Sequence, residues 1–252
     1  MDDPRNYRTD PGCLKDVIHE NVARIRERIA TAAALAGRDP GDISLVAVSK
    51  SVDSGTVKLS RDCGFSAYGE NRVQELLAKQ ADGAYSNTPV HMIGTLQTNK
   101  VGKVVGKAAL IQSVDSFRLA GMISKRAVSL GIVQDILLQV NIGRESTKGG
   151  VDPEFADELA AMISGLEGIK LRGLMAIPPA ADVSSGNMKY FSEMYKLFVD
   201  IRGKKYDNVS MDILSMGMSG DFEAAIAEGS NMVRIGSAIF GPRDKKYICH
   251  EG

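Results

Sequence analysis

Apolar positions along the chain follow two rhythms. Leu14, Val17, Ile18, Val22, Ile25, Ile29, Ala32, Ala33 and Ala36 recur every three or four residues up to Gly37, which predicts a long amphipathic helix ahead of any strand. After the Asp39-Pro-Gly-Asp42 turn, residues 43–49 form an apolar run of strand length that ends at Lys50. Strand and helix patterns then take turns. Further strands are predicted at 66–69, 90–94, 109–114, 135–141 and 173–177, and at the openings of 213–221 and 232–241. Between them lie a modest helix over 54–63, one through Val73, Leu76 and Leu77, and one through Val101, Val104, Val105 and Ala108. The next is capped by Ser116 and stopped by Gly131, and another begins at Asp152-Pro153. Met188, Phe191, Met194, Tyr195, Phe198 and Ile201 line a longer one. A short helix runs from an Asp221 N-cap to Gly229.

Eight strands with a helix between each pair imply a parallel sheet, and eight strands permit closure. The expected fold is α/β, a single (β/α)8 TIM barrel over 1–252 with an extra N-terminal helix. An open doubly wound sheet would usually carry fewer strands, and no G-x-G-x-x-G follows the first one. Only 242–252 follow the last strand, so the N-terminal helix is expected to fill part of the outer ring there.

Charge changes the picture by exclusion. Lys plus Arg equals Asp plus Glu at 31 each, which argues against a dedicated nucleic-acid or membrane-surface binder. Cys13, Cys63 and Cys249 are scattered and are expected as reduced thiols in a cytoplasmic protein. His19, His91 and His250 show no ligand spacing with them, so no metal site is expected. The first ten residues lack an apolar signal core, and no run could span a bilayer.

Barrel chemistry gathers at the C-terminal ends of strands, which here gives Lys50, Glu70, Asn71, Gly94, Ser113, Asn141, Met175, 215–219 and 234–237. The turns at 217–221 and 236–237 are rich in Gly and Ser. Such turns let backbone N–H groups and the hydroxyls of Ser219 and Ser237 surround an anion, where barrels commonly bind phosphate. Lys50 is expected across the ring from that cradle. A desolvated lysine loses its proton more readily and can form a Schiff base, so the pair suggests an aldehyde bearing a phosphate, as in pyridoxal 5′-phosphate (PLP). By themselves, Lys50 also reads as an ordinary solvated lysine and the two turns as plain turn chemistry.

Val46-Ala-Val-Ser-Lys50, Tyr68-Gly-Glu-Asn-Arg-Val-Gln-Glu75, His91-Met-Ile-Gly-Thr-Leu-Gln-Thr-Asn-Lys100, Gly173-Leu-Met175, Leu214-Ser-Met-Gly-Met-Ser219 and Val233-Arg-Ile-Gly236 resemble the YggS/PROSC family of PLP homeostasis proteins, in the family's order. The resemblance implies an alanine-racemase-like barrel without the second, β-rich domain. It also implies that Lys50 carries the Schiff base, that Ser219, Gly236 and Ser237 hold the phosphate, that Asn71 lies beside the cofactor, and that Arg234 faces the pyridine nitrogen. An arginine there keeps its proton and leaves the ring a poor electron sink. A structural ion pair is the alternative for Arg234.

His91 reads as a hydrogen-bonded structural histidine. Lys100, Lys103 and Lys107 read as one solvated helical face, with a partner or anion role left open. Glu145 and Lys148 match the family's pattern and read as an ordered loop over the mouth. G-x-S-x-G is not satisfied around Ser219, against a serine hydrolase. The function expected is intracellular PLP homeostasis by a monomer without strong catalysis, with PLP-dependent apoenzymes as recipients. An amino-acid racemase is the alternative, but it needs a proton donor on each face of its substrate, and no tyrosine is placed by sequence as the second. A phosphate-sugar enzyme fits the upstream motifs poorly.

Overall fold

In the computed structural model, β1 (Ser44–Val48) pairs in parallel with both β2 (Ala67–Glu70) and β8 (Met232–Ile235). That double pairing closes the ring. Residues 11–145, 149–179 and 187–241 are described. Between β2 and β8 the order is β3 (Val90–Met92), β4 (Leu110–Val114), β5 (Gln134–Val140), β6 (Ile169–Ala176) and β7 (Val209–Ser215), each beside its sequence neighbour. The helices are α1 (Pro11–Leu35), α2 (Ser54–Leu59), α3 (Val73–Ala81), α4 (Val101–Val104), α5 (Phe117–Leu130), α6 (Pro153–Ser164), α7 (Met188–Lys204), α8 (Phe222–Ala227) and α9 (Ser237–Phe240).

The continuous apolar runs are explained by burial on both strand faces. One set, including Leu45, Ala47, Tyr68, Met92, Ile111, Ile136, Leu138, Leu174, Leu214 and Val233, belongs to the large core that also takes in the helices. The alternate set, Val46, Ala67, Leu110, Leu137, Met175 and Met232 with Ile213 against them, forms a separate plug inside the ring. This plug leaves the polar chemistry to the C-terminal mouth.

Helix α1 buries Ile18, Val22, Ile25, Ile29, Ala32 and Ala33. It lies where the outer ring would otherwise be open. Asn21 Nδ2 donates to Ile239 O at 3.0 Å, Arg28 Nε to Glu223 Oε1 at 2.6 Å, and Arg26 Nη2 to Cys63 O at 2.8 Å. It therefore bridges the last helices to the segment after α2. Cys63 is a free thiol whose pKa burial pushes up. Cys13 is disulfide-bonded, which departs from the expectation of reduced thiols throughout.

Several elements differ from the sequence reading; β7, for one, begins at Val209, four residues ahead of the expected 213. β6 starts four residues earlier than expected, and its Arg172 lies paired between Asp135 on β5 and Asp212 on β7. α4 is a single turn, since Gly106 turns the chain at φ 79° toward β4. Lys100, Lys103 and Lys107 accordingly do not share one helical face. The single turn α9 was not anticipated. Among the described residues no helix is long and apolar enough to cross a membrane.

Candidate functional site

Lys50 follows β1 after Ser49, at the mouth of the barrel. Val46 pairs with Arg234 and Ala47 with Ile235, so the end of β1 runs alongside the end of β8. A Cβ at Gly236 would stand 3.1 Å from Val48 O and 3.3 Å from Val48 Cβ, which is how closely the two strands approach. Lys50 and the 236–237 turn are therefore neighbours on the rim. The expected placement across the ring is corrected: closure joins the first strand to the last.

The two small-residue turns form one unit. Gly217 has φ 94°, and a Cβ there would lie 2.7 Å from Ala225 Cβ and 3.0 Å from Phe222 Cα, so the chain turns tightly against α8. Gly217 O accepts from Arg234 N at 3.0 Å, and Ser219 Oγ accepts from Ala238 N at 3.4 Å. Ser237 opens α9 and is exposed, with Gly236 at its N-cap. Asp221 occupies the N-cap position of α8 but makes no side-chain bond into that helix. Its Oδ1 accepts from Met218 N at 2.7 Å and its Oδ2 from Asn187 Nδ2 at 2.7 Å, so it braces the 217–221 turn instead.

Arg234 is 4% exposed and sits above the apolar plug. Its Nη1 donates to Ser215 Oγ at 2.7 Å and its Nη2 to Ala176 O at 2.8 Å. Ser215 Oγ donates onward to Gln112 Oε1 at 2.7 Å, and Gln112 Nε2 lies 3.0 Å from His91 Nδ1. A neutral His91 accepting at Nδ1 completes a chain of donors running one way across the barrel. Burial pushes His91 down to about 4, which keeps it neutral. Burial also lowers Arg234 to about 10, with the charge of Asp221 opposing, so the guanidinium stays protonated near neutral pH. Among the described residues no carboxylate is in ion-pair contact with Arg234. Ser215, Gln112 and His91 hold it instead. This relation links four strands, β3, β4, β7 and β8, and becomes visible only when the ring closes.

Asn71 directly follows β2. A Cβ at Gly94 would stand 2.6 Å from Asn71 Cα and 2.9 Å from its carbonyl carbon, so β3 must leave through a glycine for Asn71 to sit where it does. Asn141 Nδ2 donates to Glu145 O at 3.1 Å, while Asn141 Oδ1 accepts from Glu145 N at 3.2 Å. It fastens the loop after β5. Lys148 lies outside the described residues. Ser113, also at a strand end, is buried with its hydroxyl unpaired.

One cluster escaped the sequence reading. Glu70 is fully buried, and its Oε1 accepts from Ser49 Oγ at 2.6 Å, Lys79 Nζ at 2.7 Å and Tyr85 OH at 3.1 Å. Desolvation raises the Glu70 pKa despite these donors. Burial, with the Glu70 charge next, pushes the Tyr85 phenol far above its ordinary value. The signal was available: Lys79 continues the buried stripe of Val73 and Leu76 on α3, an unusual position for a cation.

These features define a class, a closed barrel of the alanine racemase type. The family model described as "Alanine racemase, N-terminal domain" matches residues 20–244. The solved alanine racemase of Clostridium difficile 630 superposes with a TM-score of 0.69 at 21% identity, covering 90% of this chain and 58% of that one, a likeness of fold. The Pyridoxal phosphate homeostasis protein of Aquifex aeolicus is 44% identical over 224 residues, 89% of this chain and 97% of its own. PipY of Synechococcus elongatus, the COG0325 family member solved with PLP bound, superposes with a TM-score of 0.74 at 32% identity, covering 86% of this chain and all of that one. The chain belongs to the pyridoxal phosphate homeostasis protein family.

Proposed function

We propose that this chain holds PLP through a Schiff base on Lys50 and serves vitamin B6 homeostasis as a cytoplasmic monomer that passes the cofactor to apoenzymes. The observation that carries this reading is the adjacency of β1 and β8. Neighbouring strands lie about 4.8 Å apart, so one small aldehyde-phosphate reaches both the Lys50 amine and the rim turns. The hydroxyls of Ser219 and Ser237 and the backbone at Gly236 take the phosphate. Asn71 flanks the ring, and Arg234 faces its nitrogen.

The bound vitamin supplies a reactive aldehyde and, when its ring nitrogen is protonated, an electron sink. This chain uses the first property and mutes the second. The protonated Arg234 donates to Ser215 and Ala176 and has no acceptor for the N–H of a protonated ring nitrogen, so it favours the unprotonated ring. A racemase reading draws only on the shared barrel. It requires a second proton donor, and three described tyrosines have their hydroxyls engaged: Tyr68 with Ser60, Tyr85 with Glu70 and Tyr206 with Asp157.

Borohydride reduction of the PLP-loaded protein followed by peptide mapping tests the linkage. A reduced adduct on Lys50, a yellow wild type and a colourless Lys50→Ala variant are expected. An adduct on another lysine, or colour that survives Lys50→Ala, overturns it. Ordinary turnover of alanine enantiomers would restore the racemase.

A further inference from the structure

We infer that Glu70, Glu75 and Lys79 act as a clamp on the backbone at Lys50 and so are positioning residues for its covalent linkage; the inference rests on the function proposed above. A residue's two backbone torsions are set by the peptide planes on either side of it. The preceding plane is held at Ser49 O, which accepts from Lys79 Nζ at 2.6 Å and from Val52 N at 3.0 Å. The following plane is held at Ser51 N, which donates to Glu75 Oε2 at 2.7 Å. Ser49 is fixed further, its N donating to Gly69 O at 3.0 Å and its Oγ to Glu70 Oε1. Ser51 sits at φ 61°, a left-handed conformation that a serine adopts at a cost. The clamp offsets that cost where the chain leaves β1.

Burying a lysine is expensive, and an apolar side chain would fill the same space at least as well. Lys79 is 5% exposed, yet it lies between Glu70 Oε1 at 2.7 Å and Glu75 Oε2 at 3.8 Å and reaches past both to Ser49 O. All three residues direct bonds to positions 49 or 51, the two neighbours of Lys50. A group that attacks an aldehyde held at a fixed phosphate cradle gains from such preorganisation, because displacement by a fraction of an ångström lowers the reactive population.

The test uses Glu75, whose side chain is 23% exposed, so its removal leaves no fully buried charge unpaired. Two measurements are made on wild type, Glu75→Ala and Glu75→Gln: amide exchange of residues 50–53 in the PLP-free chain, and the rate at which added PLP becomes trapped on Lys50 by borohydride. Glu75→Ala is expected to exchange faster there and to trap about tenfold more slowly, the loss of one charge-assisted hydrogen bond. Glu75→Gln keeps an acceptor oxygen for Ser51 N and restores both toward wild type. Unchanged exchange in Glu75→Ala overturns the clamp, and faster exchange with wild-type trapping overturns its positioning role. A wild type that traps nothing on Lys50 overturns the linkage itself, and the exchange arm then judges the clamp alone.

Discussion

Replacing Gly94 with alanine tests whether the mouth is built by close backbone approach. The added Cβ would lie 2.6 Å from Asn71 Cα and 2.9 Å from its carbonyl carbon, and these backbone atoms cannot rotate away as a flexible side chain would. Restoring contact near 3.5 Å requires the two segments to part by about 1 Å. Ile93 N and Gly94 N both donate to Glu70 O, at 2.9 and 3.4 Å, so the shift works against the end of the β2–β3 pairing. Overpacking of this kind costs about 1–3 kcal/mol. For a chain of this size each kcal/mol lowers the midpoint by about 2–4 °C, so a fall of roughly 3–10 °C is expected by scanning fluorimetry. Because Asn71 moves with the shift, PLP titration followed by absorbance should show affinity about tenfold weaker, some 1.4 kcal/mol. Gly121 is the control: it lies inside α5 with nothing within 4 Å of a new Cβ, and Gly121→Ala should stabilise by about 0.5–1 kcal/mol with PLP binding unchanged. A Gly94→Ala protein that melts and binds like wild type would refute the close-approach argument.

Three further outcomes follow from the same geometry. His91 is held neutral by burial, with its folded pKa near 4 against an ordinary 6.5. The unfolded chain thus takes up a proton first, and stability present above pH 6.5 is lost as pH falls toward 4, by at most about 3 kcal/mol. In His91→Gln, urea midpoints should fall less steeply across that window, and parallel curves would exclude His91 as the cause. Arg172→Met unties Asp135 from Asp212 on a partly exposed site and should cost about 1 kcal/mol, with a smaller difference from wild type in 1 M salt; a salt-independent loss would point to packing instead. Arg234→Glu should raise the rate of deuterium exchange at the α-carbon of added alanine above that of wild type; no gain in the loaded variant would weaken the account of the ring nitrogen.

The ring of elements was legible because strands buried on both faces read as unbroken apolar runs, and because caps carry local chemistry. Ser116 accepts from Leu119 N, Gly131 takes φ 65° and Pro153 opens α6, all as their residue types require. What stayed hidden depends on partners distant in sequence. The expected strand begins only at 173, whereas β6 opens at Ile169 with Arg172 between Asp135 and Asp212. The apolar positions of 101–108 suggest a longer helix than the single turn that Gly106 permits. At the mouth, position types were readable, but the relation of Lys50 to the cradle was not. Strand ends indicate a rim and give no order around it until β8 meets β1. Lys79 is the instructive omission, since its place on the stripe of Val73 and Leu76 already marked it as a cation that needed buried partners.

Closure also couples binding to folding. Lys50 leaves the first strand, while Ser219, Arg234, Gly236 and Ser237 follow or belong to the last two, so one ligand touching both sets ties the ends of the sheet together. A ligand that binds only the folded chain stabilises it by about 2.7 kcal/mol at a hundredfold excess over Kd. Noncovalent binding would lose that gain on dialysis. A link to Lys50 made permanent by borohydride should keep it, because such an adduct would span the β1–β8 seam whatever the free concentration. In Lys50→Ala the cradle alone should give a smaller rise in midpoint that dialysis abolishes. Equal, dialysis-resistant stabilisation of wild type and variant would mean that the ligand is held without the first strand.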